Sequence, residues 1–164
     1  MDQPLHAGLL AVRGEGRWRG VLIEGPSGSG KSDLALRALE QGFRLVADDR
    51  VIVWASGGRC FGRAPEPLAS LIEARGLGVV AEPALPFCQV ELVVRCADRD
   101  AVERVPEAEF SVRAGVALPC LSLWPWEPTA PAKMRRALDH LGAGPQRAYQ
   151  APFRGAPPPR MGAT

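Results

Sequence analysis

The sequence predicts an α/β domain, and three observations carry the prediction. A glycine-rich turn, Gly25-Pro26-Ser27-Gly28-Ser29-Gly30-Lys31-Ser32, lies between an apolar run at 20–24 and a helix-period segment at 32–39. Short apolar runs rich in valine, leucine and isoleucine recur between turn residues, which is strand patterning. A second helix-period segment occupies 129–141. The turn fits the Walker A pattern G-x-x-x-x-G-K-[ST] in its proper strand-to-helix context. Its glycines let successive backbone N–H groups point inward at phosphate oxygens, at the positive end of a helix. Lys31 adds a charge within reach of the β and γ phosphates, and the Ser32 hydroxyl can ligate Mg²⁺. Binding of a nucleoside triphosphate follows; a glycine-rich turn that binds nothing is the bland alternative.

Length and composition bound the rest. At 164 residues the chain is one domain by size, and such a domain buries roughly two-thirds of its unfolded surface. Twenty basic and eighteen acidic side chains give a net charge of +2, so no strong field points to nucleic acid or an anionic membrane. No apolar run approaches membrane-spanning length, and 6–12 is too short for a signal core, so a cytoplasmic protein is expected. Cys60, Cys88, Cys96 and Cys120 are scattered, with no C-x-x-C pair or nearby histidine, and read as reduced and structural.

Taken in order, 9–12 and 18–23 form a hairpin across Arg13-Gly14-Glu15-Gly16-Arg17, and its second strand delivers the chain into the phosphate loop. His6 has no local partner and on its own reads as solvated. The helix after the loop places Leu34, Ala35, Ala38 and Leu39 together and stops at Gly42. A strand at 43–47 then ends in Asp48-Asp49, at the sheet edge where open α/β folds bind ligands. A carboxylate there could hold the metal through water or take a proton from an attacking hydroxyl, whereas the plain alternative is a capped turn.

Residues 51–54 and 59–62 read as a second hairpin around Ala55-Ser56-Gly57-Gly58. A short helix is predicted at 68–74, followed by a loop Glu73-Ala74-Arg75-Gly76-Leu77-Gly78. Strands are predicted at 89–96 and 116–123, the second bent or edge-located because of Pro119. The last helix begins at Thr129 and Pro131, groups Met134, Ala137, Leu138 and Leu141 on one face and stops at Gly142. Lys133, Arg135 and Arg136 form a solvated opposite side. The 143–164 tail, with Pro157-Pro158-Pro159, is expected to be disordered.

With these stretches in order, the sequence resembles the bifunctional HPr kinase/phosphorylase family, in its catalytic domain. The resemblance spans roughly 5–141 and is most specific at 25–32, at Arg44-Leu45-Val46-Ala47-Asp48-Asp49-Arg50-Val51 and at Ile72-Glu73-Ala74-Arg75-Gly76-Leu77-Gly78. It implies a phosphate-loop kinase core with a central mixed sheet, related to phosphoenolpyruvate carboxykinase, over 1–142. It implies Mg-ATP-dependent phosphorylation of a serine of the phosphocarrier HPr, or of a paralogue in a regulatory phosphotransferase system. Lys31 would stabilise the transferring phosphoryl group, with Ser32 and Glu73 ligating Mg²⁺. Asp49, eighteen residues after Lys31, would be the proton acceptor. Asp48 would lie beside it. Arg75 belongs to the loop used in the reaction, and His6 matches the family histidine near the start of the domain. A homo-oligomer, a hexamer by resemblance, is expected.

Two departures stand out. Nothing corresponds to the N-terminal regulatory domain of longer members. The stretch Leu118-Pro119-Cys120-Leu121-Ser122-Leu123-Trp124-Pro125-Trp126 lacks the Pro-Gly-Arg-Asn-type loop used for dephosphorylation, which counts against phosphorylase activity. A different class stays open on these grounds: a nucleotide-dependent regulatory module that docks without transferring phosphate. A small-molecule kinase is weaker, since no lid or substrate pocket can be picked out.

Overall fold

A computed structural model describes residues 4–141. The Gly142 stop and the 143–164 tail lie outside the described residues. Two strands open the fold, β1 (Ala7–Gly14) and β2 (Arg17–Glu24), paired antiparallel from Ala7↔Glu24 to Gly14↔Arg17. Glu15 and Gly16 both take positive φ, 55° and 77°, the turn geometry that matches strand twist in a two-residue hairpin. After the loop comes α1 (Lys31–Leu39), then β3 (Arg44–Ala47) and a hairpin of β4 (Ile52–Ser56) and β5 (Arg59–Arg63). A separate two-stranded hairpin, β6 (Leu71–Ala74) and β7 (Gly78–Ala81), precedes β8 (Cys88–Cys96), β9 (Glu109–Arg113), β10 (Val116–Leu123) and α2 (Ala130–Leu141).

The central sheet is mixed, as the family resemblance implies. Its order is β3-β1-β2-β8-β10-β9, with β2 parallel to β8 and β8 parallel to β10. On the side opposite β2, the first part of β8 pairs with β5, antiparallel from Cys60↔Val90 to Gly62↔Cys88, which attaches the β4–β5 hairpin to the sheet. Alternate residues of the central strands enter two apolar layers, because both faces are covered. Leu10, Val12, Val21, Ile23, Leu92 and Val94 meet Leu34 and Ala38 of α1 and Met134 and Leu138 of α2. On the other face Leu9, Ala11, Leu22, Val90 and Val93 meet Val51, Val53 and Cys60.

A buried ionic cluster ties the sheet to the last helix. Glu91 is fully buried and accepts hydrogen bonds from Arg17 Nε and Nη2, both at 2.9 Å, and from Arg19 Nε at 3.3 Å. Arg19, itself buried, reaches on to Asp139 at 2.9 Å and to the Leu138 carbonyl. It thereby satisfies one of the carbonyls that a helix end leaves without a partner.

Two expectations are corrected. The predicted helix at 68–74 is a single 3₁₀ turn, Glu66–Leu68, followed by β6. Ser70 sits at φ 59°, which a helix cannot continue through, and strand geometry lets Ile72 face α1 in the core while Glu73 faces out. The loop expected at 73–78 is accordingly a strand end and a tight turn. Strand β10 lies inside the sheet, with β9 outside it. It tolerates Pro119 because its ladders are staggered: pairing with β9 covers 116–120 and pairing with β8 covers 120–123, so Pro119 pairs on one side only.

Candidate active site

The phosphate loop closes on itself. Ser29 N–H donates to the Pro26 carbonyl at 3.1 Å, and Leu34 N–H donates to the Gly30 carbonyl at 2.9 Å to start α1. Gly30 sits at φ 106°, a conformation open to glycine, and a Cβ there would meet the Trp126 indole at 3.0 Å. Lys31 is buried and its Nζ donates to the carbonyls of Gly25 at 2.7 Å and Pro26 at 3.0 Å. The ammonium is therefore held across the mouth of the loop. Ser29 Oγ is buried in the loop interior beside Cys96. Cys96 lies beneath Gly25, and burial pushes its thiol pKa up, with Lys31 opposing that shift.

The two aspartates after β3 point to different surroundings. Asp48 is buried; its Oδ1 accepts from Ser32 Oγ at 2.9 Å and its Oδ2 accepts from the Glu73 N–H at 3.0 Å. Asp48 thus orients the loop serine and fastens β6 to the end of β3. Asp49 is 58% exposed and its Oδ1 lies 3.2 Å from His6 Nε2. Its Oδ2 lies 3.3 Å from Arg50 Nη1. The backbone explains the divergence. Arg50 N–H donates to the Asp48 carbonyl at 2.8 Å, closing a three-residue turn centred on Asp49 at φ 71°. Such γ-turns with a positive φ are rare and strained, and the cost is of order 1–3 kcal/mol for a residue other than glycine. The chain start pins the turn: Ala7 N–H donates to the Asp49 carbonyl at 3.2 Å, and Leu5 bridges Val51. Those contacts are what bring His6 to Asp49.

One open cleft collects most of the residues singled out from the sequence. His6, Ser27, Gly28, Gly30, Lys31, Ser32, Asp49, Glu73 and Arg75 all line it, and its volume is about 200 Å³. Asp48 stands behind Ser32 and lines an adjoining hollow with Ser32, Asp49 and Glu73. Gly25, Pro26 and Ser29 stay off the wall and act through their carbonyls and the loop interior. Arg75 is exposed at the turn between β6 and β7, where Leu77 N–H donates to the Ala74 carbonyl at 2.9 Å. Four wall residues are not expected at the site from the sequence: Asp33, Leu36, Ala74 and Trp126. The Trp124-Pro125-Trp126 stretch carries no pattern of its own that marks it as part of a site.

Among the described residues no group of three or more His, Cys, Asp or Glu could hold a metal by itself. The oxygens present, Ser32, Asp48 and Glu73, suit Mg²⁺, which uses one or two carboxylates and completes its shell with water and substrate phosphates. None of the described helices is long and apolar enough to cross a membrane.

Comparison with known proteins places this cleft in a family. Residues 2–85 match the family model for the HPr Serine kinase C-terminal domain. The chain is 39% identical over 101 residues to the HPr kinase/phosphorylase of Mycoplasmopsis pulmonis, an alignment covering 57% of this chain and 31% of that protein. It is 45% identical over 98 residues to the HPr kinase/phosphorylase of Enterococcus faecalis, covering 55% of this chain and 30% of that one. The matched stretch therefore spans under a third of these relatives. The solved structure of the Hpr(Ser) kinase/phosphatase from Coxiella burnetii superposes with a TM-score of 0.69 at 21% identity, covering 84% of this chain and 99% of that one. The fold is thus that of a phosphate-loop-type kinase, and the family match takes in the loop, both aspartates, Glu73 and Arg75. The chain belongs to the HPr serine kinase C-terminal domain family.

Proposed function

We propose that the protein transfers the γ-phosphoryl group of Mg-ATP to a serine hydroxyl of an HPr-like phosphocarrier protein. One observation carries the reading: the phosphate loop's Lys31 and Ser32 share a cleft with an exposed, strained carboxylate, Asp49, that His6 holds at 3.2 Å. The loop N–H groups and Lys31 bind the phosphates, Lys31 exchanging the Gly25 and Pro26 carbonyls for phosphate oxygens. Asp49 takes the serine proton as the serine oxygen bonds to the γ-phosphorus and the bridging β–γ P–O bond breaks, releasing ADP. His6 is a positioning residue that fixes the Asp49 carboxylate. Mg²⁺ held by Ser32 and Glu73, with Asp48 orienting the serine, would neutralise charge on the phosphates. Arg75 adds positive charge at the acceptor side of the cleft.

The transfer runs in the kinase direction on this reading, since the segment after Val116 lacks the loop associated with phosphorolysis. Residues 1–142 form the catalytic unit and 143–164 a tail. The setting is cytoplasmic, without nucleic acid, and the protein assembles as a homo-oligomer. The test is incubation with Mg-ATP and an HPr-like protein or its serine-to-alanine variant, read by intact mass. One added phosphoryl on the first alone is expected. Nucleotide binding without transfer to either would overturn the reading and leave a docking module.

A further inference from the structure

The turn that links β10 to α2 presents an aromatic ring to the cleft and is built to be rigid. Arg37 of α1 donates from Nη1 to the Glu127 carbonyl at 3.0 Å and from Nη2 to the Pro125 carbonyl. Asp33 in turn fixes Arg37, accepting from its Nε at 2.9 Å. Within the turn, Glu127 accepts from Thr129 Oγ1 at 2.8 Å and from Lys133 Nζ at 2.6 Å. Arg99 lies over the Trp124 ring at 5.5 Å, and Pro125 is buried. Trp126, between these anchored neighbours, is 48% exposed. Its indole packs on the last glycine of the phosphate loop, as the 3.0 Å approach to a Cβ at Gly30 records.

The cleft wall is divided chemically. Trp126 and Leu36, both exposed apolar side chains, stand beside the loop and on the outward face of α1. Apart from Lys31 of the loop and Asp33, which is paired with Arg37, the charged side chains come from the chain start, the end of β3 and the β6–β7 hairpin. A nucleoside triphosphate has the same division, an apolar base at one end of a phosphate chain. We infer that Trp126 is the stacking platform for the nucleobase, set by Arg37 at the edge of the phosphate loop. The inference rests on the nucleotide-binding reading above and adds to it the residue that contributes affinity beyond the phosphates. A planar π-face accepts any base, so the contact strengthens binding more than it selects.

The test is calorimetric titration of wild type, Trp126→Leu and Trp126→Phe with Mg-ATP and, separately, with Mg-tripolyphosphate, which has the phosphates and no base. Leucine keeps apolar cover over Gly30 and removes the π-face; phenylalanine keeps a smaller one. The expected result is a loss of about 10-fold in Mg-ATP affinity for Trp126→Leu. Tripolyphosphate affinity should stay within about twofold, and Trp126→Phe should recover most of the loss. Equal losses for both ligands would overturn the inference and make Trp126 a prop for the loop. So would an unchanged Mg-ATP affinity, or a wild type that binds Mg-ATP no tighter than tripolyphosphate; in both cases the phosphate loop's role survives. A wild type that binds neither ligand would overturn the nucleotide reading itself.

Discussion

The neighbouring aspartates should fail in opposite ways when each is changed to asparagine. Asp48 uses both carboxylate oxygens as acceptors, from Ser32 Oγ at 2.9 Å and from the Glu73 N–H at 3.0 Å, in a buried setting. An asparagine can present only one acceptor oxygen, so Asp48→Asn turns one of these contacts into a donor facing a donor. Hydrogen bonds to a charged group contribute about 1.5–3 kcal/mol, and about 2 kcal/mol is the expected loss. For a domain of this size that lowers Tm by about 4–8 °C. Asp49 is 58% exposed, and its carboxylate lies against His6 and Arg50. Asparagine tolerates its φ of 71°, so Asp49→Asn should move Tm by no more than about 2 °C. Phosphoryl transfer should nevertheless fall by a factor of 10² or more, at roughly the size expected for removing a general base. Thermal melts and initial rates on both variants check the pair. A destabilised Asp49→Asn beside an unaffected Asp48→Asn would refute the division of labour.

Other consequences follow from single contacts. Lys31→Met removes the ammonium that spans the loop mouth, and Mg-ATP affinity by calorimetry should fall by about 10-fold or more while Tm is retained. Glu91→Ala removes the buried partner of Arg19, leaving it Asp139, the Leu138 carbonyl and Glu15 at 3.8 Å, and denaturant unfolding should show a loss of about 3 kcal/mol. Glu127 is hydrogen-bonded by Lys133 and Thr129, which hold its carboxyl below the usual carboxylate range. A folded pKa below the unfolded one stabilises above the unfolded value, and that stability is lost as pH falls through the folded one. Wild type should therefore melt above Glu127→Gln at about pH 7, and the gap should close by about pH 3. A gap that persists at the acid end would count against the Lys133 contact.

The parts of the site written in local pattern were legible in the sequence. The loop at 25–32 declares its backbone conformation through glycine and its chemistry through Lys31 and Ser32. Asp48-Asp49 follows an apolar strand, which places both at a sheet edge. What local pattern could not supply was the split between them, because it depends on a strained turn at Asp49 and on a β6 backbone N–H reaching Asp48 from 25 positions away. His6 could be placed only through the family resemblance, since its partner lies across the β1–β3 pairing. The predicted helix at 68–74 failed because Ser70 takes a positive φ and Ile72 gains more by facing α1 from a strand. Strands β7 and β9 are short and largely exposed, so they carry little apolar alternation to read. Trp126 was hidden for a related reason: what puts it in the cleft is Arg37, a helix residue whose hydrogen bonds cross 88 and 90 positions.

The most direct test of the central claim is a single-turnover experiment with excess enzyme, Mg-[γ-³²P]ATP and an HPr-like acceptor, comparing wild type with Asp49→Asn at saturating nucleotide. Label on the acceptor serine from the wild type, and at least about 10²-fold slower labelling from the variant with unchanged Mg-ATP affinity, is the predicted result. Equal labelling by the two proteins would contradict the assignment of Asp49 as proton acceptor, and no labelling by either would contradict the kinase reading.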